Sequence, residues 1–118
     1  MKNTPSSTPA KTAKDAPTTS PQAAALLKPF RAQIDVLDDQ IVDLLVKRMA
    51  VIRDVAPIKA ENGIPAVLDD RIEEIINRVA ERAGEENEDM ICEIYAVLLA
   101  VSCDVEEELM GQGQKFRD

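Results

Sequence analysis

The sequence predicts an all-α fold: a three-helix protomer with one long N-terminal helix, intertwined with a second copy as a homodimer. Three observations lead there. Aliphatic residues recur at helical spacing through three segments separated by chain breakers. Two Phe, one Tyr and no Trp leave an aliphatic core, which suits helices. The first segment is also too long for the other two to cover its apolar stripe.

The first helix is expected from about Ala23 to Ala60. On a wheel begun at Ile34, residues Leu37, Ile41, Leu44, Leu45, Ile52 and Val55 gather within an arc of roughly 100°. Pro29 suits the first turn of a helix, so the true start is expected near it. Pro57, on the outer face, should kink the last turns or leave one hydrogen bond unmade. Glu61-Asn62-Gly63-Ile64-Pro65 is a stop, with Gly63 fit for a left-handed cap and Pro65 barring continuation.

The second helix is expected to begin near Asp69 or Asp70, either of which suits the cap position and the positive end of the dipole. It packs through Ile72, Ile75, Ile76 and Val79 and ends near Gly84. The third runs from about Glu88 to Met110 with Ile91, Ile94, Leu98, Val101, Val105 and Leu109 inward. Even from Phe30 onward, the first helix exceeds roughly 40 Å at its rise per residue. A helix that outreaches its companions needs a second copy alongside, so the dimer is expected to be obligate; a monomeric three-helix bundle is the alternative.

At 118 residues the chain holds one small domain, placed here at residues 23–110. Residues 1–22 carry four of the seven prolines amid Thr, Ser, Lys and Ala and are read as a disordered tail. Residues 111–118 are read as a second short loose end. With 22 Asp+Glu against 14 Lys+Arg, the net charge of −8 argues against nucleic acid and anionic membranes as partners. No apolar run approaches the roughly 20 residues of a membrane span. Cys92 and Cys103 lie in one predicted helix, roughly 16 Å apart, too far for a mutual disulfide. Free thiols without a secretory apolar segment point to a cytoplasmic location. There is no histidine, which removes the usual general base, the Ser–His and Cys–His nucleophile systems and most transition-metal sites. Neither a metal nor a cofactor is expected.

Arg48 and Lys59 stand inside the greasy arc of the first helix, not on its polar face. A cation buried without a partner is costly, so these positions call for an anion. Arg31, Arg71, Ser102 and Glu106 complete the set of inward or near-inward polar residues. Any one of them alone reads as snorkelling or as a structural ion pair. Four cations with a Ser–Glu pair instead suggest a pocket for a small, multiply charged anion.

The stretch LLKPFRAQIDVLDDQIVDLLVKRMAVIRDVAPIKAENGIPAVLDDR resembles the first helix and following loop of the all-helical chorismate mutase family. Arg31 matches the basic residue near the start of the long helix, and Asp38 the acid of an I-D-x-L-D type pattern. Arg48 falls in an L-L-x-x-R block, Lys59 at the helix end and Arg71 twelve residues further on. Ser102 and Glu106 align with the family's polar pair on the last helix. The resemblance covers residues 26–110 without a gap.

It implies an intertwined dimer in which Arg31 of each chain completes the partner's site. It implies as activity the rearrangement of chorismate to prephenate, a pericyclic shift needing no base, nucleophile, metal or cofactor. Arg31, Arg48, Lys59, Arg71, Ser102 and Glu106 would bind this dicarboxylate substrate. Arg48, Lys59 and Glu106 would be catalytic, with Lys59 and Glu106 donating hydrogen bonds to the breaking ether oxygen.

Three departures qualify the resemblance. Glu106 stands where many members have Gln, and a carboxyl donates only when protonated, so the rate is expected to fall as pH rises. Leu68 and Ile72 replace acids that would bind the substrate's ring hydroxyl, and Pro57 interrupts a turn near Lys59. The alternatives are an isochorismate pyruvate-lyase, which shares the resemblance around Ile64-Pro65-Ala66, and a non-catalytic helical dimer with a binding or regulatory role.

Overall fold

A computed structural model describes residues 20–117, with side chains as far as Gly111. Three helices follow one another: α1 (Pro21–Glu61), α2 (Asp69–Ala83) and α3 (Glu88–Arg117). There is no strand among the described residues. The chain divides into two units, Met1–Asp43 and Leu44–Asp118, with α1 contributing to both.

In the first unit, α1 begins earlier than the sequence suggests. The Ala23 N–H donates to Ser20 Oγ at 3.1 Å, so Ser20 caps the helix and Pro21 occupies the first turn, where its missing N–H costs nothing. Pro29 is therefore an interior residue of the helix, not its start. Residues 21 and 22 of the expected tail over residues 1–22 are thus helical, and residues 1–19 lie outside the described residues. Leu26, Phe30, Ile34, Leu37 and Ile41 are all more than half exposed, because one helix has nothing within its own unit to bury them against.

In the second unit, α2 and α3 are the helices whose backbones approach closely. Their core is Ile75, Val79 and Leu99, with Ile72, Ile76, Ile91 and Tyr95 packed around it. The α1 segment meets this pair through side chains, among them Arg48 and Lys59. Ala56 is its most buried residue, at 0% exposure, just past the edge of the arc drawn on the wheel.

The loop after α1 follows the expected chemistry. Gly63 takes φ +66°, and the Ile64 N–H donates to the Lys59 carbonyl at 2.8 Å, closing the helix end in a left-handed cap. Asn62 Nδ2 adds a bond to the Ile58 carbonyl at 2.8 Å. At α2 the expected cap is corrected. Leu68 is the N-cap, extended at φ −120°, ψ 101°, and no side chain caps there. Asp69 and Asp70 are already helical and act through the dipole alone. Gly84, at φ +89°, ends α2 as expected.

On α3 the inward face overlaps the one predicted: Ile91 packs on the core as expected, and Leu98, Val105 and Leu109 are half-buried. Ile91, Tyr95, Leu99, Ser102 and Glu106 face the rest of the unit, whereas Ile94 and Val101 are 55% and 46% exposed. This helix is apolar on two adjoining faces, and periodicity alone cannot say which one packs within the chain. It also continues past Met110 to Arg117: no proline interrupts it, and the two glycines cost only about 1 kcal/mol each against Ala.

Candidate active site

Two turns of α1 and one face of α3 supply the charged core of the site. Arg48 Nη1 donates to Ser102 Oγ at 2.7 Å, and that hydroxyl donates in turn to the Leu98 carbonyl at 2.8 Å. The second bond orients Ser102 with its acceptor lone pairs toward the guanidinium. Three turns further along α1, Lys59 Nζ lies 2.7 Å from Glu106 Oε1 and donates to the Ala66 carbonyl at 3.0 Å. The backbone carbonyl of Lys59 is fixed by the Gly63 cap, so the loop that ends the helix also wraps its last cation. Among these groups Ser102 and Glu106 are buried, while Arg48 and Lys59 are half-buried.

The Lys59–Glu106 contact is an ion pair without good hydrogen-bond alignment. Glu106 Oε1 is buried and accepts no directed hydrogen bond among the described residues. The ammonium has three N–H donors and gives one to Ala66.

These four side chains line a cavity of about 460 Å³, a size usual for small-molecule sites. Val51, Ile52, Val55, Ile75 and Leu99 form much of its apolar wall. Arg71 joins the rim; it is exposed and pairs with Glu74 at 2.7 Å, a surface contact of i,i+3 type that holds it only weakly. The lining thus carries three cations and one carboxylate, an excess of two positive charges in a chain whose net charge is −8. Such a site matches a dianion. A second cavity of about 400 Å³, on the α2–α3 side, is lined by Val67, Ile72, Ile76 and Ala96 with Asp104 and Glu107 at its edge. It has no cation and does not suit an anion.

Of the residues singled out from the sequence, Arg48, Lys59, Arg71, Ser102 and Glu106 come together around one cavity. Arg31 belongs to the first unit, is exposed, and is not among the lining residues. Three contributors escape a reading of the sequence: the Ala66 carbonyl, the Leu98 carbonyl and Cys103. Backbone acceptors carry no residue-type signal, and Cys103 reads as an ordinary small apolar residue on α3. Burial pushes its thiol above the usual range; the Glu106 carboxylate pushes the same way and Lys59 opposes.

A family model described as chorismate mutase type II matches residues 30–107, about two thirds of the chain. The chain belongs to the chorismate mutase type II family. The matched span takes in Arg31, Arg48, Lys59, Arg71, Ser102 and Glu106. A 4-amino-4-deoxychorismate mutase from Streptomyces venezuelae is 26% identical over 88 residues, covering 73% of this chain and 85% of the relative. No solved structure matches. Family membership makes the chain an isomerase of the chorismate mutase type. The all-helical form expected of such a mutase is present in α1, α2 and α3. Among the described residues, no helix is long and apolar enough to cross a membrane.

Proposed function

We propose that the chain converts chorismate to prephenate by a Claisen rearrangement within the cavity formed by Arg48, Lys59, Arg71, Ser102 and Glu106. The observation that carries this reading is the excess of two positive charges around a cavity in a chorismate mutase family chain. Chorismate is a dicarboxylate. Arg48, held by Ser102, offers planar two-point recognition of one carboxylate, and Arg71 stands at the rim for the other. Clamping both ends selects the compact conformer in which the bonding carbons are close.

In the reaction the ether C–O bond breaks as the new C–C bond forms. Electron density builds on the ether oxygen. Lys59 has N–H capacity to spare for that oxygen; Glu106, ionised in its pair with Lys59, becomes a second donor only on taking up a proton. Donors fixed before the reaction lower the barrier because they bind this oxygen more strongly in the transition state than in the ground state. No proton needs to be abstracted, which accords with a chain that has no histidine.

The working form in this proposal is an intertwined homodimer, in which Arg31 of one chain completes the other's cavity. Support comes from the exposed stripe Leu26, Phe30, Ile34, Leu37 and Ile41 and from the exposed α3 face of Met90, Ile94, Val97 and Val101. Together they are a larger apolar surface than a single soluble chain ordinarily leaves open. A cytoplasmic location belongs to the same proposal.

The test is to incubate purified protein with chorismate and, separately, with isochorismate. Prephenate formation that disappears in Arg48→Ala is the expected result. Salicylate with pyruvate from isochorismate would make the chain a lyase, and turnover of neither would leave a binding role.

A further inference from the structure

The cavity of about 400 Å³ between α2 and α3 has no part in the proposed rearrangement, and its chemistry is the reverse of the first cavity's. Its α3 side is Ala96, Ala100, Cys103, Asp104 and Glu107, at the i, i+4, i+7, i+8, i+11 spacing of one helical stripe. Its α2 side is Ile72 and Ile76, both packed on the core of Ile75, Val79 and Leu99. The hollow has a simple cause. The α2 and α3 backbones approach closely, and alanine at 96 and 100 leaves short side chains where leucine would fill the space.

Charge sets what this hollow takes. Asp104 and Glu107 stand exposed at its rim, one turn apart, and among the described residues no Lys or Arg lines it. The two ion pairs among the described residues use Glu106 and Glu74 instead. Cys103 registers the local field: burial raises its thiol most and Glu106 next, Lys59 opposes, and Glu107 and Asp104 push upward again. An anion is repelled here. A free amino acid is poorly served as well, because its carboxylate finds no cation. An ammonium meets two carboxylates. Exposed charges attract only weakly in water, so the acids choose the sign of the guest while the aliphatic wall holds it.

We propose that this hollow is a binding site for a compact apolar amine. The ring or chain sits among Ile72, Ile76, Ala96 and Ala100, and the ammonium lies between Asp104 and Glu107. Ile72, Leu99 and Cys103 line both cavities, so this guest touches the same three side chains as a dicarboxylate in the first. The site stands apart from the mutase reading, because binding is measured without turnover.

The experiment titrates the full chain with phenethylamine by isothermal titration calorimetry at neutral pH, where this amine is protonated. One amine binds per chain with a Kd of about 1 mM or tighter. The neutral isostere 2-phenylethanol, with the same ring and no charge, binds about fivefold more weakly. Asp104→Asn and Glu107→Gln, combined in one chain, weaken the amine by about fivefold and bring it level with the alcohol. Ala100→Leu fills the hollow without touching the acids and removes binding of both, with circular dichroism checking the fold. If Ala100→Leu does not fold, the two acid substitutions on the exposed rim decide. Phenethylamine that does not saturate, an alcohol that binds within about twofold of it, or binding unchanged in the acid variant overturns the site. Binding that survives Ala100→Leu puts the amine elsewhere on the acidic surface and overturns it too.

Discussion

Lys59 and Glu106 meet at 2.7 Å from opposite sides of the space between α1 and α3, the first at the end of its helix and the second in the middle of its own. The pair neutralises one charge of each sign in a half-buried setting, yet Glu106 Oε1 accepts no aligned hydrogen bond among the described residues. Arg48 differs: Ser102 already holds it at 2.7 Å.

Replacing Arg48 by Ala removes the planar clamp and leaves Ser102 buried without its donor. The expected loss in kcat/KM for chorismate is roughly 10³-fold, with Arg48→Lys recovering only part of it because a point charge cannot reproduce the fork. Ser102→Ala, which frees Arg48 without removing it, should cost about tenfold. Steady-state kinetics with circular dichroism as a folding control checks both.

Glu106 gives a pH test with a definite sign. Only a protonated carboxyl donates to the ether oxygen, so a rate that depends on Glu106 as donor is lower wherever Glu106 is ionised. An amide donates at every pH, so Glu106→Gln flattens the profile and keeps the activity at high pH. A flat profile in both proteins would exclude Glu106 as the donor.

The Cys103 thiol, raised first by burial and then by Glu106, holds its proton further up the pH scale than an ordinary thiol. Thiolate is the reactive form, so at pH 8 Cys103 should alkylate with iodoacetamide more slowly than glutathione, and the gap should narrow as pH rises. Because Cys103 lines the cavity, a bound dicarboxylate inhibitor should slow it further. Mass spectrometry of the Cys103 peptide over time measures both effects.

Mixing two inactive variants tests the dimer directly. Arg31→Ala and Arg48→Ala chains should each be nearly inactive alone. Refolded together in equal amounts, they form heterodimers with one intact site each, restoring roughly a quarter of full activity. If Arg31 served its own chain's cavity, mixing would restore nothing.

Gly63 offers a stability test at the end of α1. Its φ of +66° is a left-handed conformation, although a Cβ there would meet nothing within 4 Å. Gly63→Ala should therefore cost about 1 kcal/mol through backbone strain alone. Thermal unfolding at fixed protein concentration should show a fall of about 5 °C.

Local chemistry makes the helices readable. The chain-breaking run at Gly63-Ile64-Pro65 marks the end of α1, and Gly84 the end of α2, because left-handed caps and missing N–H groups are properties of single residues. The Ile72, Ile75, Ile76, Val79 stripe is legible for the same reason: a helix with one apolar face has one way to turn. The Ser20 cap is masked in the sequence because Pro29 offers a second plausible start for the helix.

Three helices and the residue types of the charged cluster were already written in the order of the amino acids, since Arg48, Lys59, Ser102 and Glu106 are conspicuous as polar groups at apolar positions. The rotation of α3 about its axis was not; packing settled it, pairing Arg48 with Ser102 and Lys59 with Glu106 and leaving Ile94 and Val101 outside. Because α3 is apolar on two adjoining faces, its rotation is set by what it packs against and not by its own pattern. Backbone partners such as the Ala66 carbonyl were invisible on related grounds: every residue has a carbonyl, and only the folded path of the chain brings that one to Lys59.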